Sequence, residues 1–530
     1  MTDSWIVLLP PIFVLSCAAL THNVIISLIL GIATASLIAS NFALFGALGI
    51  AKDAFVAQAT SANNVYLFSF LMILGFIIEM MTHSGSIRAC TNLLRRSVKD
   101  KRGAETTSLV LSNFFFLDDY FNGLTVGAIM RPLTDTLSIP RAKLAFLINS
   151  MSAPACLLIP ASTWMAVILV QLQVAGLSDI PTTNPIIFAD PLYTFLHTIP
   201  FIFYAIFMVF SAWLIVRARI SFGAMHQQEL IAQNSGNLFG GKTPYQPHLD
   251  INGKTGSISG FFIPISIFMV TMLFFVFYTG NAAFLGGDHS ILDALKKANT
   301  TLSLCIASVV SALSSTIYFL MRKHLTPSEI IKDAYHGFML TRNSLIILFL
   351  AYAFGALLTD NLQAGTFLAK TIAGILPLFL LPVVLFIIST AITSGTGSSW
   401  STIAIMTSIT IEMLVALANH VTPMSIEQVP QFYASLGALL AGTAAGSHIS
   451  PITDSTVMAS TASGAYHMDH VQTQIAYSMP AIIGSCAAFI ALGLLGNQTT
   501  FFAYAIAFAI GLSITAAILL YRNENRATTI

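Results

Sequence analysis

The sequence predicts an all-α protein that threads a lipid bilayer many times, and three observations carry that prediction. Only 8% of its 530 residues are charged and 56% are hydrophobic, against about 25% charged in an ordinary soluble domain. Mean hydropathy is +0.81. Apolar stretches recur at roughly the 20-residue length that a helix needs to cross a bilayer. With Lys+Arg at 23 and Asp+Glu at 22, the chain cannot clothe a water-soluble surface, which excludes a soluble enzyme. The net charge of +1 removes any case for a nucleic-acid partner. Cys17, Cys90, Cys156, Cys305 and Cys486 sit singly in apolar surroundings and read as small core residues.

The spans expected in order are 5–21, 24–50, 65–82, 142–175, 191–217, 258–280, 300–321, 337–358, 433–460, 475–496 and 501–521. The first lacks a basic leader and a small-residue cleavage site, so it reads as a span and not a signal peptide. Basic residues assign the sides. Loop 83–104 carries Arg88, Arg95, Arg96, Lys99, Lys101 and Arg102, and Arg131, Arg141 and Lys143 follow the next apolar segment. Both ends of 104–137 are therefore cytoplasmic, and the segment is a re-entrant hairpin. Loop 176–190, without Lys or Arg, lies outside. The polar linker 218–256 and the carboxy-terminal end lie inside. A second hairpin, 371–418, must then enter from outside. The expectation is about eleven transmembrane helices plus two opposed hairpins, with the amino terminus outside. The division is 1–64, 65–217 with the first hairpin, the linker 218–256, 257–336, 337–460 with the second hairpin, and 461–530.

Two stretches repeat in order. An offset of 280 relates Gly75 to Gly355 and Asp118-Asp119-Tyr120 to Ser398-Ser399-Trp400, and an offset of 297 relates Ser152-Ala153-Pro154 to Ile449-Ser450-Pro451. With hairpins from opposite sides, the units are inverted, which points to a secondary transporter's central site.

Four polar clusters interrupt the apolar pattern. Asp118 and Asp119, followed by Asn122, come after four apolar residues inside the first hairpin. Burying such carboxylates uncompensated costs at least about 2.5–3.5 kcal/mol each, so they need a cation, a proton or a basic partner; a structural pairing with Arg131 is the competing reading. Ser394, Thr396, Gly397, Ser398 and Ser399 form a Gly-rich tip whose carbonyls and hydroxyls suit a hard cation such as Na⁺. Asn149 and Pro154, with Pro160, mark an interrupted span. His448, Ser450 and Asp454 mark another. Asp135, four residues beyond Arg131, reads as its ion-pair partner near the cytoplasmic face. Glu79 and Glu412 are lesser candidates, and His467, Asp469 and His470 read as solvated.

These residues resemble the NhaC family of Na⁺/H⁺ antiporters, within the larger ion transporter superfamily. Three passages carry the resemblance: Asp118 to Asn122 with Arg131-Pro132 and Asp135; Ala153-Pro154 with Pro160 and Ser162-Thr163-Trp164; and Ser450 to Thr456. It spans about 70–530. The resemblance implies a hairpin-bearing transport region moving against a scaffold, a homodimer, and a bacterial inner-membrane location. Asn149 and Ser447 depart from it, standing where the family usually has acids.

The mechanism expected is competitive antiport: Na⁺ and H⁺ compete for Asp118 and Asp119, adjacent carboxylates whose repulsion favours protonation of one of them. No cofactor is called for beyond these ions. One rival keeps the scaffold and couples Na⁺ or H⁺ to an organic acid or amino acid. A more distant rival, an intramembrane hydrolase, meets the difficulty that His448 and Ser450, two apart, point to different helix faces.

Overall fold

The computed structural model describes residues 4–21, 24–86, 88–89, 98–116, 119–160, 162–178, 186–243, 256–289, 291, 294, 298–364, 367, 371, 377–397, 399–418, 423–451, 453–495 and 501–524. Helices α1 (Leu9–Thr21), α2 (Val24–Ala39), α3 (Leu44–Thr60) and α4 (Ala62–His83) lead to a first hairpin, α5 (Lys101–Phe114) and α6 (Asp119–Thr136). A broken span follows, α7 (Arg141–Leu158) and α8 (Thr163–Val174), then α9 (Pro191–Thr198), α10 (Phe203–Ala218) and a linker helix α11 (Gly223–Ser235). The second half runs α12 (Ser259–Thr279), α13 (Thr300–Met321) and α14 (Pro327–Ala356). Its hairpin is α15 (Leu381–Thr396) and α16 (Ser399–Ala418), and its broken span is α17 (Phe432–Ile449) and α18 (Asp454–Ser463). Helices α19 (His467–Leu494) and α20 (Phe501–Tyr521) close the chain.

Local chemistry sets several of these boundaries. Asp100 Oδ1 accepts from Gly103 N at the start of α5, Asp190 Oδ1 from Tyr193 N at α9, and Ser162 Oγ from Met165 N at α8, each relieving an orphan N–H of a first turn. Thr326 and Glu329 form a reciprocal capping box with Pro327 at the start of α14. The expected single span 24–50 is instead two helices. Asn41 and Phe42 both adopt left-handed backbone, φ 52° and 66°, which an α-helix cannot contain. Alternation through that region therefore gives no basis for placing the amino terminus outside. Among the described residues seven helices are long and apolar enough to cross a membrane, and the α7–α8 pair, bent by 52°, makes an eighth. The expected count of eleven included segments that are built from shorter pieces, α17 with α18 among them.

Packing follows the small residues. α4 and α14 run antiparallel and touch at Gly75 and Gly337, where a Cβ on either would collide with the other's backbone. α15 lies on α17 at Gly442 and Gly446, whose missing Cβ atoms leave room for the carbonyls of Phe386 and Thr390. α7 and α17 are buried along nearly their whole lengths, so they are the central helices of the two halves.

The two faces are consistently assigned. A small parallel sheet joins β1 (Leu177–Ser178), β2 (Ile187–Phe188) and β3 (Met424–Ser425), putting the end of α8 and the end of α16 on one side. On the other, Arg102 donates to Arg217 O, Lys242 pairs with Asp469, and Glu524 N donates to Ser221 O. The first hairpin's entry, the linker and the carboxy-terminal end therefore share one face, and the second hairpin's far end lies with the sheet on the other, so the two hairpins are opposed.

The repeat is also refined. α6 and α16 begin at Asp119 and Ser399, the offset of 280. The breaks, however, correspond at an offset of 291: α7 and α17 end at Leu158 and Ile449, and α8 and α18 begin at Thr163 and Asp454. Pro451 thus matches Pro160, not Pro154, which lies inside α7.

Candidate functional site

Four helices begin at one point in the interior: α6 at Asp119, α8 at Thr163, α16 at Ser399 and α18 at Asp454. Two come from hairpins and two from broken spans, one of each from each half. Between their first turns lies a cavity lined by Asp119, Trp164, Gly397, Ser399, Trp400, Ser447, Thr453 and Ser455. Its volume is about 10 Å³, close to the roughly 10–15 Å³ that one water needs on the same measure. That is room for a single small ion.

The walls differ by direction. On one side the indoles of Trp164 and Trp400 meet with centroids 5.1 Å apart. Toward the interior of the second half the lining is hydroxyl: Ser447 Oγ and Ser455 Oγ are 2.6 Å apart. The break in α17–α18 frees the Ser447 carbonyl, which accepts from Thr453 Oγ1 at 2.7 Å and Thr456 Oγ1 at 3.0 Å. Gly397 turns the second hairpin with φ 73°, a conformation that suits glycine. The four helix amino termini carry partial positive charge, which counterbalances a carboxylate held among them. Carboxylate and hydroxyl oxygens around one ion-sized space form a donor set for a hard monovalent cation.

The expected site residues divide into three groups. Asp119, Gly397 and Ser399 line the cavity. Asp118 and Ser398 lie outside the described residues, as do the side chains of Thr396 and Asp454. The others hold the site together without lining it. Asn122 Nδ2 donates to Ser112 O at 2.6 Å and ties the first hairpin's arms. Ser450 Oγ donates to Ser394 O at 2.9 Å and ties the second hairpin's tip to the broken span. His448 Nδ1 lies 2.7 Å from Tyr204 Oη. Asn149 Nδ2 lies 3.3 Å from both Thr456 Oγ1 and His470 Nε2. Pro154 does not break its helix; Pro160 does.

Two expectations are corrected. Asp135 pairs with Arg141, not Arg131: both carboxylate oxygens are 2.7 Å from the Arg141 guanidinium. The left-handed Ser138 (φ 51°) and Pro140 turn the start of α7 back onto the end of α6, and a bidentate fork wins over an i,i+4 approach. His470 is not solvated but 0% exposed, while Asp469 is held by Lys242 at 2.6 Å. The sequence carried a sign of this: His470, Thr473, Gln474, Tyr477 and Ser478 form a polar stripe at helical spacing on an otherwise apolar helix, which marks an inward polar face. Trp164 and Trp400 were also missed as lining residues, since nothing local distinguishes a cavity indole from a packing one.

An inverted pair of hairpins and broken helices meeting at a buried polar site defines a secondary transporter. The model of the Na⁺/H⁺ antiporter family matches residues 155–497, and the chain belongs to that family. It is 28% identical over 494 residues to an uncharacterized protein of Haemophilus influenzae, covering 92% of this chain and 90% of that one. Its fold is similar to that of the Alcanivorax borkumensis YdaH transporter, with TM-score 0.52 and 12% identity over 84% of this chain and 88% of that one. It is similar also to Neisseria gonorrhoeae MtrF, with TM-score 0.51 and 16% identity over 87% and 86%.

Proposed function

We propose that this transporter exchanges Na⁺, or a cation of similar size, for protons, with both competing for Asp118 and Asp119 at a site that opens to one side at a time. The observation that carries the reading is the cavity: Asp119 and the hydroxyl residues Ser399, Thr453 and Ser455 line a space of about 10 Å³. Protonation of the carboxylate removes the cation's charged ligand, and the cation displaces the proton. The indole pair closes the outer side while the site is in this state. A bacterial inner membrane is the location that fits.

A second reading has its own support. Four helix amino termini converging on one point also suit an anionic group, so an organic acid coupled to Na⁺ or H⁺ is the alternative cargo, entering a more open state. Proteoliposomes with an interior pH dye separate the two. A pH gradient dissipated by Na⁺ or Li⁺ in wild type, and by neither in Asp118→Asn and Asp119→Asn, is the expected result. A gradient indifferent to every cation but dissipated by dicarboxylates or amino acids overturns exchange in favour of the alternative.

A further inference from the structure

Beyond the indole pair stands a set of buried polar groups that exchange at Asp119 does not use. Helices α8, α14 and α16 pack against one another pairwise, and all three end at the face that carries the parallel sheet. α8 and α16 lead into β1 and β3. α4 starts beside the end of α8, where Asn63 Nδ2 donates to Gln173 Oε1, and α14 runs antiparallel to α4. Loop 176–190 on this face has no Lys or Arg, which makes the face the outer one.

Gln171 of α8 and Thr407 of α16 each stand seven residues beyond a cavity indole, Trp164 and Trp400, so they continue the same helix faces outward. Tyr352 of α14 turns its hydroxyl toward the Gln171 carboxamide. Ser408 Oγ would lie 3.4 Å from a Cβ on Gly355, one turn of α14 from Tyr352. Glu412 follows Ser408 one turn further out on the same side of α16. Val167, Ile168 and Ile403, all buried, part this group from the cavity by one apolar turn, so the two are distinct in this conformation.

The group is polar and unanswered. Gln171, Tyr352, Thr407 and Ser408 are each 0% exposed. Both ends of the Gln171 carboxamide, the Tyr352 hydroxyl and the two smaller hydroxyls have no hydrogen bond to any described residue. Thr407 and Ser408 can turn to carbonyls of their own helix. Gln171 is not answered in that way, since turning its amide only exchanges one orphan for the other. Apolar residues of the same shape would be no less stable here, so packing does not account for a glutamine facing a tyrosine. A partly hydrated cation does. Amide, phenol and hydroxyl oxygens are ligands for it, and its water meets the amide N–H groups. Gln171 also lies in the last turn of α8, where free carbonyls carry partial negative charge, and that sign favours a cation over an anion. Neutral ligands hold such an ion weakly enough for it to leave again.

We propose that Gln171, Tyr352 and Ser408 form a second, outer cation site, through which the transported ion passes between the outside and the cavity. The inference rests on the cation–proton reading and gives it an outer path, closed here by the apolar turn and the indoles.

The test uses Gln171→Leu, which puts an apolar side chain of similar size in place of the carboxamide. Cation-driven proton flux in proteoliposomes is expected to fall by about 10-fold or more. Na⁺-driven proton release from the purified protein, which reads Asp119 at equilibrium, should keep its Na⁺ dependence, and the thermal midpoint should stay or rise. Full flux in a Gln171→Leu protein of equal or greater stability makes Gln171 a packing residue and overturns the inference. If Gln171→Leu does not fold, Ser408→Cys takes its place. A membrane-impermeant methanethiosulfonate should modify that cysteine in intact cells and not in inverted vesicles, as read from the mass of its peptide, and more slowly as Na⁺ is raised. Modification from the cytoplasmic side alone, or from neither side, overturns the inference. A wild type indifferent to all cations sinks the exchange reading instead, and the Ser408→Cys pattern still decides whether the outer path runs between these helices.

Discussion

The two hairpins occupy equivalent places in inverted halves, yet they bring different chemistry to the same cavity. Asp119 and Ser399 are the first residues of α6 and α16; one presents a carboxylate and the other a hydroxyl. The first hairpin is braced across its own arms by Asn122 to Ser112 O, besides its contacts with neighbours at Phe116 O, which accepts from Cys156 Sγ, and at Gly127 against Ala462. The second is tied to its neighbour, by Ser450 to Ser394 O and by the close approach of Gly446 to Thr390. Symmetry has thus been kept in the backbone and lost in the side chains. The carboxylate comes from the hairpin braced across its own arms, and the hydroxyl from the hairpin whose tip is tied to its broken span, while each half adds one indole.

The largest expected consequence of that asymmetry is in transport. Asp119→Asn should lower cation-driven proton flux by about 10–100-fold or more, as loss of a charged partner is worth about 1.5–3 kcal/mol. Ser399→Ala should raise the half-saturating cation concentration by only about 3–10-fold. Equal losses in proteoliposome assays would mean that the halves share the work evenly. Next in size are the glycines: Gly446→Ala and Gly127→Ala each drive a methyl into a neighbouring helix, at Thr390 and Ala462, and should cost about 1–3 kcal/mol in thermal unfolding of the detergent-solubilised protein. A tolerated Gly446→Ala would contradict tight packing of the second hairpin. Asp135→Asn should cost about 2 kcal/mol by leaving the buried Arg141 fork unanswered, whereas Arg131→Gln should cost less, because Asp135 is not its partner. The smallest effects belong to the ties. Asn122→Ala and Ser450→Ala should each cost about 1 kcal/mol, and only Ser450→Ala should loosen α15 against α17 in amide exchange.

Composition and the placement of Lys and Arg were enough to find a polytopic helical protein with opposed hairpins, because insertion into a bilayer depends on those same quantities. The four polar clusters were equally visible: each marks a helix start that reaches the cavity. What the sequence did not settle was decided across large separations. Arg141 and Arg131 are equally basic, and the turn at Ser138 and Pro140, not charge, chooses the partner of Asp135. Pro154 and Pro160 look alike in a string, but a helix continued past one and ended at the other. His470 was misread because its neighbours His467 and Asp469 look like a loop, whereas the polar stripe running on through Gln474 and Tyr477 shows a helix face turned inward.

The central claim is that one carboxylate-lined cavity holds either a cation or a proton. Adding Na⁺ to the purified, lightly buffered transporter and recording the proton release tests it without any membrane. Wild type should release protons on adding Na⁺, saturably, in the range near neutrality to which burial and a neighbouring carboxylate raise a carboxyl group, and Asp119→Asn should release none. Release that is undiminished in Asp119→Asn, or none from wild type at any pH in that range, would contradict it.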